Sequence, residues 1–85
     1  MYYLYIVRCS DNSLYCGQTK DIQRRVLEHN FNNTKSAKYT KSRRPVKLVY
    51  FETYKKIGEV LKREFEIKKM TKVKKEVLIK EKSSL

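Results

Sequence analysis

Eighty-five residues carry 21 basic and 9 acidic side chains, a formal charge of +12, with 40% apolar and 12% aromatic residues. One small core is the most such a chain can build, so a single domain over residues 1–85 is expected and two cores are excluded. Only two glycines and one proline argue against a linker or a disordered tail, and the charge calls for a polyanionic partner, nucleic acid before an anionic membrane surface or a ribosomal assembly.

The chain opens with the β-branched and aromatic run Tyr2 to Cys9, which reads as a strand. It is too short to span a bilayer and lacks the basic start of a signal peptide, so a cytoplasmic location is expected. Asp11-Asn12-Ser13 supplies turn chemistry, and Leu14 to Gly17 reads as the returning strand of a hairpin. Alternation puts Tyr3, Tyr5, Val7 and Cys9 on one face. With an odd number of turn residues Tyr15 joins that face, opposite or diagonal to Tyr5, and Cys16 faces away from Cys9; an even number reverses this. Two strand tyrosines are by themselves ordinary core residues. Two cysteines and one histidine are too few for a zinc site, so two reduced thiols are expected.

Thr19 or Asp21 can cap a helix from about Asp21 to Phe31, with Ile22, Val26 and Leu27 at helical spacing. Taking Ile22 as the origin at about 100° per residue, Val26, His29 and Arg25 fall within roughly 60° of it, and Arg24 points away. Arg25 and His29 therefore share the apolar stripe. Either Arg25 snorkels at the core edge and His29 makes a structural hydrogen bond, or both line a site. Residues 32 to 46 follow as a polar, basic loop holding Lys35, Lys38, Lys41, Arg43 and Arg44 and no acid. Its Tyr39 is a candidate for stacking on a base, and the loop is the expected nucleic-acid contact.

Val46 to Thr53 is the third strand. A helix from about Lys56 to Lys69 presents Ile57, Val60, Leu61 and Phe65 on one arc, with Glu64 in its middle and Glu59 and Glu66 toward water. An inward carboxylate is costly unless it is paired, with Arg25 as the available partner, or binds a metal. Thr71 is a plausible cap for a last helix carrying Val73, Val77 and Leu78. The order is ββαβαα: an α+β fold, a three-stranded antiparallel sheet with packed helices. The basic excess after Lys55 reads as a solvated helix face or as further DNA contact.

Taken together these residues resemble the GIY-YIG nuclease family. Tyr3-Leu4-Tyr5 is similar to its first motif, with Tyr3 where glycine is usual, and Tyr15-Cys16-Gly17 to its second. Arg25, ten residues after the second-motif tyrosine, corresponds to the family's arginine. His29 corresponds to the histidine or tyrosine one turn later, and Glu64 to the metal-binding glutamate. The segments Cys9 to Gly17, Arg24 to Asn30 and Ala37 to Thr40 resemble the small one-domain branch. That branch is similar to the excinuclease incision domain, which has lysine where this chain has Gln18. The resemblance covers about residues 3 to 70.

The resemblance implies a metal-dependent endonuclease that hydrolyses DNA phosphodiester bonds, in DNA repair or recombination. It implies Mg²⁺ or Mn²⁺ held at Glu64, the scissile phosphate gripped by Arg25, and water positioned or deprotonated by Tyr5 or Tyr15. His29 would orient a tyrosine or shuttle a proton. A protein partner would supply target choice. A catalytically weak nucleic-acid-binding module on the same fold, or a small ribosome-associated basic protein, are the other readings of the charge.

Overall fold

The computed structural model describes residues 1–83; the last two residues of the expected 1–85 unit lie outside the described residues. Strands β1 (Tyr2–Arg8) and β2 (Leu14–Thr19) are followed by helices α1 (Ile22–Phe31) and α2 (Lys38–Lys41). Strand β3 (Lys47–Tyr54) and helices α3 (Ile57–Lys68) and α4 (Lys72–Ser83) complete the chain. The sheet is three-stranded and antiparallel, as expected, and its strands lie in the order β2-β1-β3. The difference from the expected order is α2, one turn inside the basic segment 32–46.

The hairpin turn fixes the two faces. Asn12 takes a left-handed backbone, which asparagine tolerates better than most residues. The Cys9 amide donates to the Ser13 carbonyl at 2.8 Å, and the Asp11 carboxylate accepts the Ser13 amide at 3.0 Å. Five residues separate the strands, so the count is odd. Tyr5 pairs with Gly17 and Val7 with Tyr15, which places Tyr15 diagonal to Tyr5 on one face. Cys9 and Cys16 are free, buried, and sit in different core clusters on the two faces.

One face packs Leu4, Ile6, Cys16 and Tyr50 against Val60 and Ile67 of α3 and Ile79 of α4. The other packs Tyr5, Val7, Cys9 and Val46 with the half-buried Tyr15, Val26 and Leu48. Helix α1 thus covers one face, and α3 with α4 the other. Asp21 is the α1 cap, accepting the Arg24 amide at 3.1 Å, and Thr71 accepts the Lys74 amide at 3.2 Å ahead of α4.

Three packing expectations are corrected. Helix α3 buries Val60 and Ile67 and half-buries Arg63 and Glu64, leaving Ile57, Leu61 and Phe65 exposed, Phe65 by 61%. The helix is therefore turned so that Glu64 lies at the margin of its inner arc, not in its middle. The cause is Arg63, which donates to the Glu52 carboxylate of β3 at 2.9 and 3.0 Å, while Tyr50 and Tyr54 donate to the same carboxylate. In α4, Ile79 is buried and Leu78 packs against the same cluster, while Val73 and Val77 are exposed. Arg8, donating to both oxygens of Glu76 at 2.7 Å, fixes that rotation. Leu27 of α1 also lies exposed, away from the stripe of Ile22, Val26 and His29.

Candidate active site

The inward stripe of α1 delivers His29 to the sheet, where it is 0% exposed. Its Nε2 lies 2.7 Å from the Tyr5 hydroxyl, and its Nδ1 lies 2.8 Å from Thr40 Oγ1. The Tyr15 ring meets the imidazole edge-on, with centroids 5.4 Å apart. Burial pushes His29 down to about 4, and the charges of Arg25 and Arg44 act in the same direction against Glu28. The imidazole is therefore neutral at pH 7. Tyr5 is 1% exposed, and burial raises its phenol to about 12 although Arg25 beside it pulls the other way. Tyr5 is thus a protonated hydrogen-bonding partner of a neutral histidine.

Gly17, across the ladder from Tyr5, makes room for this phenol. A Cβ there would lie 2.6 Å from the Tyr5 hydroxyl oxygen, inside any tolerable contact. The glycine of the second motif is a requirement of close approach, with no unusual backbone angle involved.

Arg25 projects from the same helix and is half-buried. It donates to the Lys35 carbonyl at 2.6 Å and to Glu28 at 3.2 Å, leaving donors of its guanidinium for a further oxygen ligand. The salt bridge from Arg25 to Glu64 that the sequence left open is not formed. Glu64 belongs to the other face of the sheet, where α3 packs on the edge strand β2, and it acts electrostatically on Cys16. Its ion-pair partner is Lys68, at 3.4 Å, and its side chain is 20% exposed. The structure brings together Tyr5, Tyr15, Arg25 and His29 and sets Glu64 across the β2 edge from them.

The basic loop is more ordered than its composition suggests. The Tyr39 ring stacks on Tyr15 at 5.9 Å, and the Arg43 guanidinium covers it at 4.0 Å, while the residue stays 38% exposed. Arg43 also donates to Asp11 at 3.1 Å. Arg44 donates to the carbonyls of His29 and Asn32 at 2.6 and 3.1 Å, closing the C-terminal end of α1. Lys38 and Lys41 are exposed and, with Tyr39, Ser42 and Arg43, line an open concavity of about 770 Å³. Lys35, also exposed, borders a second concavity beside Arg24 and Phe31. Thr40 and Asn30 are participants that sequence reasoning did not single out. Asn30 exchanges two hydrogen bonds with the Val46 backbone, at 3.0 and 2.7 Å, and so ties α1 to the start of β3. Both residues lie in the segments quoted for the family resemblance, but a one-turn helix has no period from which to read a face.

For a metal, the donor set is one carboxylate. Among the described residues no group of three or more His, Cys, Asp or Glu side chains is placed to hold an ion. A single carboxylate suits Mg²⁺, which keeps several waters and takes further oxygens from substrate phosphate. Lys68, the ion-pair partner of Glu64, is half-exposed. No described helix is long and apolar enough to cross a membrane.

The GIY-YIG catalytic domain family matches residues 1–77. A UPF0213 protein of Staphylococcus epidermidis is 55% identical over 80 residues, 94% of this chain and 95% of the relative. UPF0213 proteins of Staphylococcus aureus are 56% identical over the same length and shares. Among solved structures, the solution NMR structure of a UPF0213 protein from Bacillus halodurans is 38% identical. It aligns with a TM-score of 0.60 over 94% of this chain and 84% of that one.

Proposed function

The chain belongs to the GIY-YIG nuclease family, and from that premise we propose that it is a metal-dependent endonuclease hydrolysing DNA phosphodiester bonds. The observation that carries the reading is the buried Tyr5–His29 hydrogen bond with Arg25 beside it: a proton-transfer pair next to a guanidinium. Ordinary packing has no need of a buried histidine, a phenol and a guanidinium at one point.

The roles follow from chemistry and placement. Arg25 binds the scissile phosphate through its fixed fork of donors. Water attacks phosphorus as the bond to the leaving sugar oxygen breaks. The Tyr5 oxygen takes the water proton as its own phenol proton moves to His29 Nε2, and the leaving oxygen takes a proton from solvent. Tyr5 is hydrogen-bonded to the histidine, and Tyr15 is its half-buried neighbour on the solvent side. Glu64 would hold Mg²⁺ or Mn²⁺, which when bound stabilises charge on the phosphate and leaving oxygen. The substrate would lie over the edge of β2, between Arg25 and Glu64. We assign the activity to DNA repair or recombination in the cytoplasm, with a protein partner supplying target choice. The resemblance to the excinuclease incision domain supports this, and Gln18 in place of that domain's lysine removes one charge from the edge.

A specific observation favours a second reading, a binding module without cleavage: Lys68 already neutralises the one carboxylate available to a metal. Incubation with branched, nicked and single-stranded DNA, with and without Mg²⁺ or Mn²⁺, separates the two. Cleavage that requires the metal supports the nuclease. Binding to all three substrates without cleavage under any metal condition overturns it in favour of the module.

A further inference from the structure

The hydrogen bonds around His29 have only one assignment that leaves no buried donor idle. Thr40 Oγ1 lies 2.8 Å from His29 Nδ1 and 3.1 Å from the Ala37 carbonyl oxygen. A carbonyl oxygen can only accept, so the single hydroxyl proton of Thr40 points to Ala37. The Thr40 lone pair then faces Nδ1, which must carry the hydrogen. Nε2 is left bare, 2.7 Å from Tyr5, and accepts the phenol proton. In the opposite form Thr40 would donate to Nδ1 and set its other lone pair against the Ala37 carbonyl. Nε2–H would donate to Tyr5, and the phenol proton would have no acceptor at a position 1% exposed, beside an arginine that only donates.

We propose that Thr40 is a positioning residue whose buried hydroxyl locks His29 in the Nδ1–H form, so that Nε2 is the acceptor for the Tyr5 proton. Thr40 is itself 0% exposed. It is held there by one turn of helix, α2, in which the Lys41 amide donates to Ala37 and the Arg43 amide to Thr40, both at 3.0 Å. Tyr39, its neighbour, is clasped between Tyr15 and Arg43, which fastens α2 to the sheet. Tyr39 is therefore assigned to holding Thr40 in place, with the residue 38% exposed beside the basic concavity. When Nε2 gains a proton, Nδ1–H still points to Thr40 and the Thr40 hydroxyl to Ala37, so the Thr40 side of the relay need not turn.

The catalytic consequence rests on the nuclease reading; the tautomer does not. His29 is the only histidine, so selective ¹⁵N labelling of histidine gives one imidazole and an unambiguous long-range ¹⁵N–¹H spectrum. The native protein at pH 7 is expected to show a protonated Nδ1 and a bare Nε2. Thr40→Ser is expected to keep that pattern. In Thr40→Val each tautomer leaves one buried donor idle, Nδ1–H or the Tyr5 hydroxyl, so the single form is expected to give way to a mixture with a fraction of the proton on Nε2, in a protein that still melts cooperatively. Cleavage by Thr40→Val is expected to fall on the order of 100-fold in kcat, with substrate affinity unchanged and with rescue by Thr40→Ser. A native protein protonated at Nε2, or a folded Thr40→Val still protonated at Nδ1 alone, overturns the proposal. A mixture of tautomers with undiminished kcat overturns the positioning role. If the native protein cuts no DNA while the spectra behave as expected, the nuclease reading fails and the lock stands.

Discussion

His29 is where chemistry and stability meet. Its folded pKa of about 4 lies below the ordinary 6.5, so between those values the unfolded chain binds a proton that the folded one does not. The stability this contributes is complete above about pH 6.5 and is lost as pH falls toward 4. The loss amounts to about 3 kcal/mol across the window. Melting temperature against pH should fall through that range, and His29→Gln should flatten the curve there. Glu76, held down to about 2 first by Arg8 and then by Lys72, acts in a separate window, its contribution present above the ordinary 4.5 and lost below it. A native protein with constant melting temperature from pH 7 to 4.5 would contradict a neutral, buried His29. Gly17 gives a second residue-level test. Gly17→Ala must displace the Tyr5 hydroxyl, costing about 1–3 kcal/mol as overpacking, and should abolish cleavage by breaking the Tyr5–His29 contact. An unchanged melting temperature and activity would show that the contact is dispensable.

Among the elements, α3 is the informative helix. It carries apolar residues on two arcs, and only the arc of Val60 and Ile67 meets the sheet. Ile67→Ala should therefore cost about 2–5 kcal/mol in denaturant unfolding, while Phe65→Ala should stay within about 0.5 kcal/mol. Equal losses would mean that α3 is turned differently. The rotation is held by a polar group, since Glu52 gathers Arg63, Tyr50 and Tyr54 between β3 and α3. Glu52→Leu removes the acceptor for three donors at once, and its expected loss is about 1–3 kcal/mol. Helix α2 works by the same logic at smaller size: four residues with no hydrophobic period are held by the Tyr15–Tyr39–Arg43 column and the Thr40–His29 bond.

Across the molecule, the two faces of the sheet hold different halves of the site. Among the described residues Glu64 forms its ion pair with half-exposed Lys68 one turn away, an interaction of about 0.3–0.5 kcal/mol. Glu64→Gln should keep the native melting temperature while losing metal-dependent cleavage; a well-folded variant that still cuts would remove Glu64 from the mechanism. Arg25→Ala should also fold, with some loosening of the loop it ties through Lys35, and should lose cleavage and phosphate affinity. With a charge of +12, binding to DNA should weaken steeply between low and physiological salt, with little sequence preference. A flat salt response would mean that the charge serves something other than a phosphate backbone.

The strands, the longer helices and the α1 half of the site are legible from neighbours along the chain. Period-2 alternation offers Tyr5 and Tyr15 a common face, although the odd turn that grants it is fixed by the fold, and the stripe of Ile22, Val26 and His29 turns His29 inward. Contacts between distant segments set the rest. Periodicity states which residues of α3 share an arc, but the Glu52–Arg63 contact chooses the arc that is covered, and so moves Glu64 to the margin. Composition marks 32–46 as basic. Only packing turns Arg44 onto the end of α1 and sets Tyr39 against Tyr15 and Arg43. The direction of the proton between Tyr5 and His29 depends on Thr40, eleven residues along, and on the carbonyl behind it. A hydrogen bond's polarity is set by every partner that surrounds it, and those partners converge only when the chain is folded.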